Sequence, residues 1–356
     1  MVYVSLFNLL LLLRWWLQNA LRQRRSFYLP LLIGLFLFSA FRFEVGCDWT
    51  GYLNQYWVQE GRTLEEALQT REPLWWGLIE LQQRMGLSYP WMNVFSSAIF
   101  FFGVHVLARR QPDPLAFLVL LFPVLIIGMP MSGIRQGAAI GVMCLAFAAF
   151  IDRSLWRFVG WTVAAAAFHG SAAIFLLLAP LVWGRYSIAR LAIAAILAIP
   201  GAFLLAGTGD AEMAMSRYVD SGLDAAGAAF RVGALALSGA FFLLLLRGTW
   251  ERSFPQDFKL AMLGSLLMVA CLLVLPVSSV IADRVAYYLI LIQAMIFARI
   301  PFLPLRANRT LYVTAPYVGL LLLLVVWAAL SELFAACYLP YRTWIFGFPE
   351  EMRWTF

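Results

Sequence analysis

The sequence predicts an all-α membrane protein with many spans, and three observations carry that prediction. The chain of 356 residues is 63% hydrophobic and only 13% charged, where a soluble domain is about 45–50% apolar and about 25% charged. Its apolar residues come in long runs, such as 188–206 and 311–330, of about the 20 residues that cross a hydrocarbon core. Short arginine-bearing loops separate the runs, as expected when positive charge stays on the cytoplasmic side.

In chain order the runs are 3–18, 27–43, 91–108, 115–130, 134–151, 188–206, 230–246, 260–276, 285–300 and 311–330. They read as about ten full transmembrane helices in a single transmembrane domain, 1–356. Basic loops lie at 22–25, 109–110, 153–157, 185–190, 247–259 and 299–309. Placing all of them in the cytoplasm turns the loops 44–90 and 207–229 outward. In the first of these, Leu64, Ala67, Leu68, Leu74, Trp75, Leu78 and Ile79 are spaced for one helical face. With Trp49, Trp57, Trp76 and Trp91 nearby, these helices are expected at the membrane interface, where indole rings prefer to sit.

One segment breaks the alternation. Between Arg157 and Arg185 the chain is apolar but basic at both ends, so a single span would put one basic cluster outside. The sequence instead predicts a broken or re-entrant helical hairpin near 157–183, interrupted at Phe168-His169-Gly170-Ser171, where glycine and serine supply turn and cap chemistry. Two tilted short spans are the competing reading. No cleavable leader is expected, because the first apolar run carries Arg14 and lacks a small-residue cleavage site.

The formal net charge of +7 comes almost wholly from arginine, Lys259 being the only lysine. Its place in short loops follows the positive-inside rule, and no nucleic-acid partner is expected. Cys47, Cys144, Cys271 and Cys337 have no metal-ligand spacing. Cys47 and Cys337 both fall near the outer face, which leaves a disulfide open.

Ionisable residues at membrane depth cost roughly 2.5–3.5 kcal/mol each on insertion scales and so mark working sites. Asp48, in Gly46-Cys47-Asp48-Trp49-Thr50-Gly51-Tyr52, is either a helix N-cap or a ligand for sugar hydroxyls, with Trp49 and Tyr52 as stacking rings. Glu72, before Pro73, stands near another helix start and is also a candidate general base, its pKa raised if it faces an apolar chamber. Arg135 and Gln136 open the run at 134–151. Arginine there either snorkels to the headgroups or adds a bidentate fork to a helix N-terminus, a combination that suits a diphosphate. Arg284, after Asp283, repeats that pattern, with an Asp283–Arg284 pair or cap as the ordinary reading. His105 reads as a packing residue. His169, at the break, is a candidate base or a donor to phosphate. Arg217, Tyr218 and Tyr341 either line an outer groove or anchor the interface.

These motifs, in this order, resemble the EpsG/Wzy-like family of bacterial exopolysaccharide polymerases. The resemblance is carried by GCDWTGY, REPLWWGL, GIRQGAAIGVMCLAF, AAAFHGSAAIFLLLAP, DRVAYY and YLPY. It implies a membrane glycosyltransferase of the GT-C type that transfers a glycan from undecaprenyl diphosphate to an acceptor glycan at the periplasmic face of the inner membrane. Exopolysaccharide, capsule or O-antigen would be the product, with no cofactor and no metal. The matched positions are Asp48, Glu72, Arg135, Gln136, His169, Arg284 and Tyr288; Cys47 and Trp49 depart from the pattern. The catalytic candidates are then Glu72, His169 and Asp48, in that order. Arg135, Arg284 and Gln136 are assigned to the diphosphate, and Trp49, Tyr52, Arg217, Tyr218, Tyr288 and Tyr341 to sugar. Expected partners are the lipid-linked donor and acceptor glycans and membrane lipid, with a chain-length regulator or export complex beyond them.

A transporter or flippase of lipid-linked oligosaccharides is the rival reading, since it too needs broken helices and midplane charge. Its polar residues should follow a whole path, whereas these concentrate in the outer half. An acyltransferase using His169 is a third reading, and the merely basic cytoplasmic loops offer it no acyl-donor tunnel.

Overall fold

The computed structural model describes residues 2–17, 19–184, 189, 192, 227–305 and 307–348. The run 188–206, apart from 189 and 192, and most of the loop 207–229, with Arg217 and Tyr218, lie outside the described residues. The regular elements among those described are all helices, without a strand. The helices are α1 (Val2–Trp16), α2 (Leu21–Ala40), α3 (Trp49–Gln59), α4 (Leu64–Leu68), α5 (Pro73–Arg84), α6 (Trp91–Ala108), α7 (Pro114–Leu121), α8 (Ile134–Ile151), α9 (Leu155–Phe168) and α10 (Ala179–Val182). There follow α11 (Ala228–Phe241), α12 (Arg247–Ser253), α13 (Phe258–Val274), α14 (Ser279–Arg299), α15 (Arg309–Leu330) and α16 (Glu332–Tyr338).

Every apolar run apart from 188–206 falls on one of these helices. Among the described residues five stretches are long and apolar enough to cross a membrane: Trp91–Ala108, Ile134–Ile151, Ala228–Ser253, Ser279–Phe302 and Arg309–Leu330. Val2–Trp16, Pro114–Ile126 and Phe258–Val274 are apolar but shorter. Proline marks two of the short ones. Around Pro123 the end of α7 loosens into a π turn, Phe122–Ile126, because proline has no N–H to give the ladder. Helix α13 ends at Val274, two residues before Pro276, which has no N–H to extend the ladder.

The chain forms two compact units, Met1–Cys144 with Ala164–Gly170 and Phe297–Phe356, and Leu145–Val163 with Ser171–Ile296. In the first, α2 packs along α6 and α7, and α1 lies against α7 and α15. Helices α6 and α8 meet through glycine: a Cβ on Gly103 would sit 1.8 Å from the Gly141 carbonyl oxygen. Small residues let two backbones approach that closely. At the basic end, buried Arg24 is ion-paired to Asp113, and buried Arg299 donates to Gln111 (2.8 Å). These two arginines are therefore core residues rather than loop charges. The helices of the loop 44–90 also have a core: Ala67, Trp75 and Ile79 are buried while Leu64, Leu68 and Leu74 are exposed. Trp75 faces protein, its indole N–H on Gln55 (2.9 Å), and Trp57 remains about half exposed.

In the second unit α11 packs along α13, where a Cβ on Gly239 would sit 2.6 Å from the Ser265 carbonyl oxygen. The segment after α8 breaks at His169, as the sequence predicts. It resumes as a 3₁₀ helix, Gly170–Leu178, closed by α10. The Trp183 indole N–H donates to the Arg153 carbonyl (3.0 Å), and Lys259 Nζ donates to those of Leu181 (2.7 Å), Val182 (3.2 Å) and Gly184 (2.7 Å). The end of the segment is thus tied to its beginning, which makes it a hairpin. Its α-helical arm rises about 21 Å and its 3₁₀ stretch about 18 Å, each less than a hydrocarbon core of about 30 Å.

Candidate functional site

Beyond the C-terminal end of α2, which carries Arg24 near its start, four sequence motifs converge. The approach begins with glycine. Gly46 has φ +109°, a region that favours residues without a side chain. A Cβ there would lie 1.9 Å from the Met131 carbonyl oxygen. The turn before α3 therefore presses against the turn that leads into α8. Asp48 consequently reaches Ser132, whose hydroxyl donates to Oδ2 at 3.1 Å.

Glu72 is the centre of the arrangement. Its Oε2 accepts from Arg135 Nη1 at 2.6 Å, and its Oε1 accepts from the backbone N–H of Gly170 at 2.9 Å. One carboxylate thus joins the start of α5, the first turn of α8 and the break after His169. Asp48 and Glu72 stand at the N-cap positions of α3 and α5, yet neither side chain caps its helix. The capping reading is corrected for both: their oxygens are spent on Ser132, Arg135 and Gly170. Both oxygens of Glu72 have polar partners. Arg135 Nε is buried and has no hydrogen-bond partner, so this guanidinium keeps an unused donor.

Tyr52 closes one side. Its ring meets Trp75 edge-on at 5.3 Å. Burial first, and then the charge of Asp48, push its phenol up to about 12, partly offset by Arg135. It remains a protonated donor at neutral pH. His169 is buried, its backbone N–H on the Ala165 carbonyl (3.0 Å), and Gln136 is buried beside Arg135.

The rings expected to stack on sugars pack against other parts of the protein. Buried Trp49 meets Tyr89 (5.0 Å) and Phe43 (5.6 Å) edge-on. Tyr341 stacks on Phe38 at 4.5 Å and donates its hydroxyl to the Phe38 carbonyl at 2.8 Å. Tyr288, in the second unit, is fully buried with its hydroxyl 3.1 Å from that of Ser171.

Arg284 also belongs to the second unit. Helix α14 starts at Ser279, so Asp283 and Arg284 lie inside it rather than at its cap. Asp283 pairs with Arg231, which donates Nε to Oδ1 and Nη2 to Oδ2, both at 2.8 Å. Consecutive residues on a helix do not face each other, which is why Arg231 on α11 is the partner and the adjacent Arg284 is not. Sequence reasoning missed Arg231, Ser132 and the need for Gly46. Ser132 had a signal, as the only hydroxyl in the turn three residues before Arg135.

The disulfide left open by the sequence is formed: Cys47 and Cys337 are joined with their Cα atoms 4.7 Å apart. Cys144 and Cys271 are free and buried. Comparison with known proteins gives one family match, to the EpsG family over residues 26–343, which takes in every motif quoted above. No curated relative and no solved structure matches the chain. The family match spans nearly the whole sequence, and the chain belongs to the EpsG family.

Proposed function

We propose that this protein is a polysaccharide polymerase, transferring a glycan from undecaprenyl diphosphate to an acceptor glycan at the periplasmic face of the bacterial inner membrane. EpsG membership supports a polysaccharide-polymerase-type membrane protein. The observation that carries the finer reading is the Glu72 junction, where a carboxylate holds an arginine that still has an unused donor. A ten-span, GT-C-like architecture is part of the same proposal. So is the outward orientation of the site, which the neighbouring disulfide favours because such bonds persist in oxidising compartments.

In this reading the donor diphosphate displaces Glu72 from Arg135 and takes up the guanidinium. The acceptor hydroxyl oxygen attacks the anomeric carbon, the bond from that carbon to the diphosphate oxygen breaks, and the diphosphate leaves with the electron pair. Arg135, with Gln136, stabilises the charge that grows on it by preorganised electrostatics, and Arg284 is the second arginine the sequence offers for that role. Glu72, released from its ion pair, accepts the acceptor's proton. His169 and Asp48 follow it as candidate bases.

The test is elongation of a lipid-diphosphate oligosaccharide by purified protein, comparing wild type with Arg135→Ala, Arg284→Ala, Glu72→Gln and His169→Ala. Elongation that survives both arginine changes overturns the diphosphate assignment. Elongation that survives Glu72→Gln but not His169→Ala moves the base to His169. Movement of intact lipid-linked glycan with no new glycosidic bond marks a flippase instead.

A further inference from the structure

We propose that the Cys47–Cys337 disulfide is a positioning device for Asp48, so that the site is fully assembled only in the oxidised protein. This rests on the polymerase reading, in which Asp48 is a candidate base. Four observations support it. Cys47 is the residue before Asp48, and its partner lies 290 residues away in sequence at the end of α16. The chain beyond α15 straps the turn 41–47: Gly46 N–H donates to the Cys337 carbonyl (2.7 Å), Phe43 N–H to that of Arg342 (3.0 Å), and Trp344 N–H to that of Phe41 (2.9 Å). The turn carries two residues in the left-handed region, Glu44 (φ +51°) and Gly46 (φ +109°). Such backbone persists only when its surroundings fix it. Finally, Cys47 is exposed while the two free cysteines are buried, so a reductant in solution acts on this pair.

Reduction by a dithiol breaks the S–S bond and adds two electrons and two protons to the two cysteines, leaving the reductant as its own disulfide. The strap then keeps its hydrogen bonds, the ring contacts Phe38–Tyr341, Phe41–Trp344 and Trp91–Trp344 and the half-exposed Arg342–Glu44 pair, but loses the covalent tie at the residue before Asp48. The turn relaxes, and Asp48 moves off Ser132. Formation of the bond runs the other way, with the electrons passing to a thiol-oxidising disulfide protein.

The experiment uses the full chain in lipid nanodiscs, with and without dithiothreitol, and alkylation followed by mass spectrometry to count thiols. Reduction is expected to lower kcat/KM by about tenfold or more, the scale of a small misplacement of a site group. Cys47→Ser/Cys337→Ser should be as slow with reductant as without it, and Cys144→Ala/Cys271→Ala should respond like wild type. In Asp48→Asn, reduction should add less than about a twofold further loss, because coupled groups are non-additive. An equal loss in wild type and Asp48→Asn overturns the proposal in favour of a merely structural bond, and so does an undiminished rate in reduced, doubly alkylated protein. Should the oxidised wild type fail to elongate at all, that failure belongs to the polymerase reading. The positioning claim is then judged by carbodiimide labelling of Asp48, expected to be several-fold faster after reduction; equal rates overturn it.

Discussion

Two of the arginine–carboxylate pairs in the first unit, one at each end of it, differ in how completely they are closed. At the basic end, Arg24 and Asp113 have side chains only 6% and 0% exposed. Asp113 Oδ1 also accepts from the Ala116 N–H (3.0 Å), and Arg24 Nε donates to the Leu17 carbonyl (2.8 Å). Every group there is spent on protein. At the other end Arg135 and Glu72 are 24% and 15% exposed, and Arg135 keeps a buried Nε without a partner. The chemistry is the same and the degree of completion is not. A closed pair holds helices together; an open one has donors left for a ligand.

The largest effect should come from breaking the closed pair. Asp113→Ala leaves Arg24 buried beside no carboxylate, a loss of about 3–5 kcal/mol for an uncompensated buried charge. It should appear as a large drop in thermal stability and folded yield in detergent. Arg135→Ala should do the reverse, cutting kcat by about 10²–10³-fold as for a lost transition-state donor, with a melting temperature close to wild type. If Arg135→Ala unfolds the protein as badly as Asp113→Ala, the two pairs are both structural and the contrast fails.

The sequence carried the helices well because apolar length and arginine-bearing loops are local signals. The break at His169 was legible for the same reason, from glycine and serine in an apolar segment with basic ends. What it could not carry was partnership. Arg24 and Arg299 sit in loops of the kind the positive-inside rule explains, and nothing local distinguishes them from solvated charge. Asp283 next to Arg284 suggests a pair, while the helix turns the two apart and the real partner, Arg231, lies 52 residues away. Asp48 and Glu72 have the sequence look of N-caps and hold that backbone position, yet tertiary contacts take their oxygens. Trp49 and Tyr341 show why an aromatic residue near a site motif is weak support for stacking: burial between other rings satisfies it equally well.

A middle-sized effect tests how the open site is assembled. Gly46→Ala sets a methyl against the Met131 carbonyl in a backbone region few side chains adopt. The strain is of order 1–3 kcal/mol, and the relaxation moves Asp48 away from Ser132. Both a lower melting temperature and a slower reaction are expected. A loss of stability with full activity would mean that the approach of the two turns does not serve Asp48.

Ser132→Ala should give the smallest effect, and it sharpens the comparison most. Ser132 is buried, but the carboxylate it serves is exposed, so water can replace the lost donor at Oδ2. The change in stability should stay under about 1 kcal/mol, at the low end for a single neutral hydrogen bond. Its effect belongs to orientation: the acceptor KM should rise a few-fold with kcat nearly unchanged, and Ser132→Thr, which keeps the hydroxyl, should restore it. The equivalent change in the closed pair has no such rescue, because no water reaches Asp113. A loss in Ser132→Ala as deep as in Asp48→Ala would place the serine hydroxyl on the substrate itself, and the open end of the unit would then extend into the turn before α8.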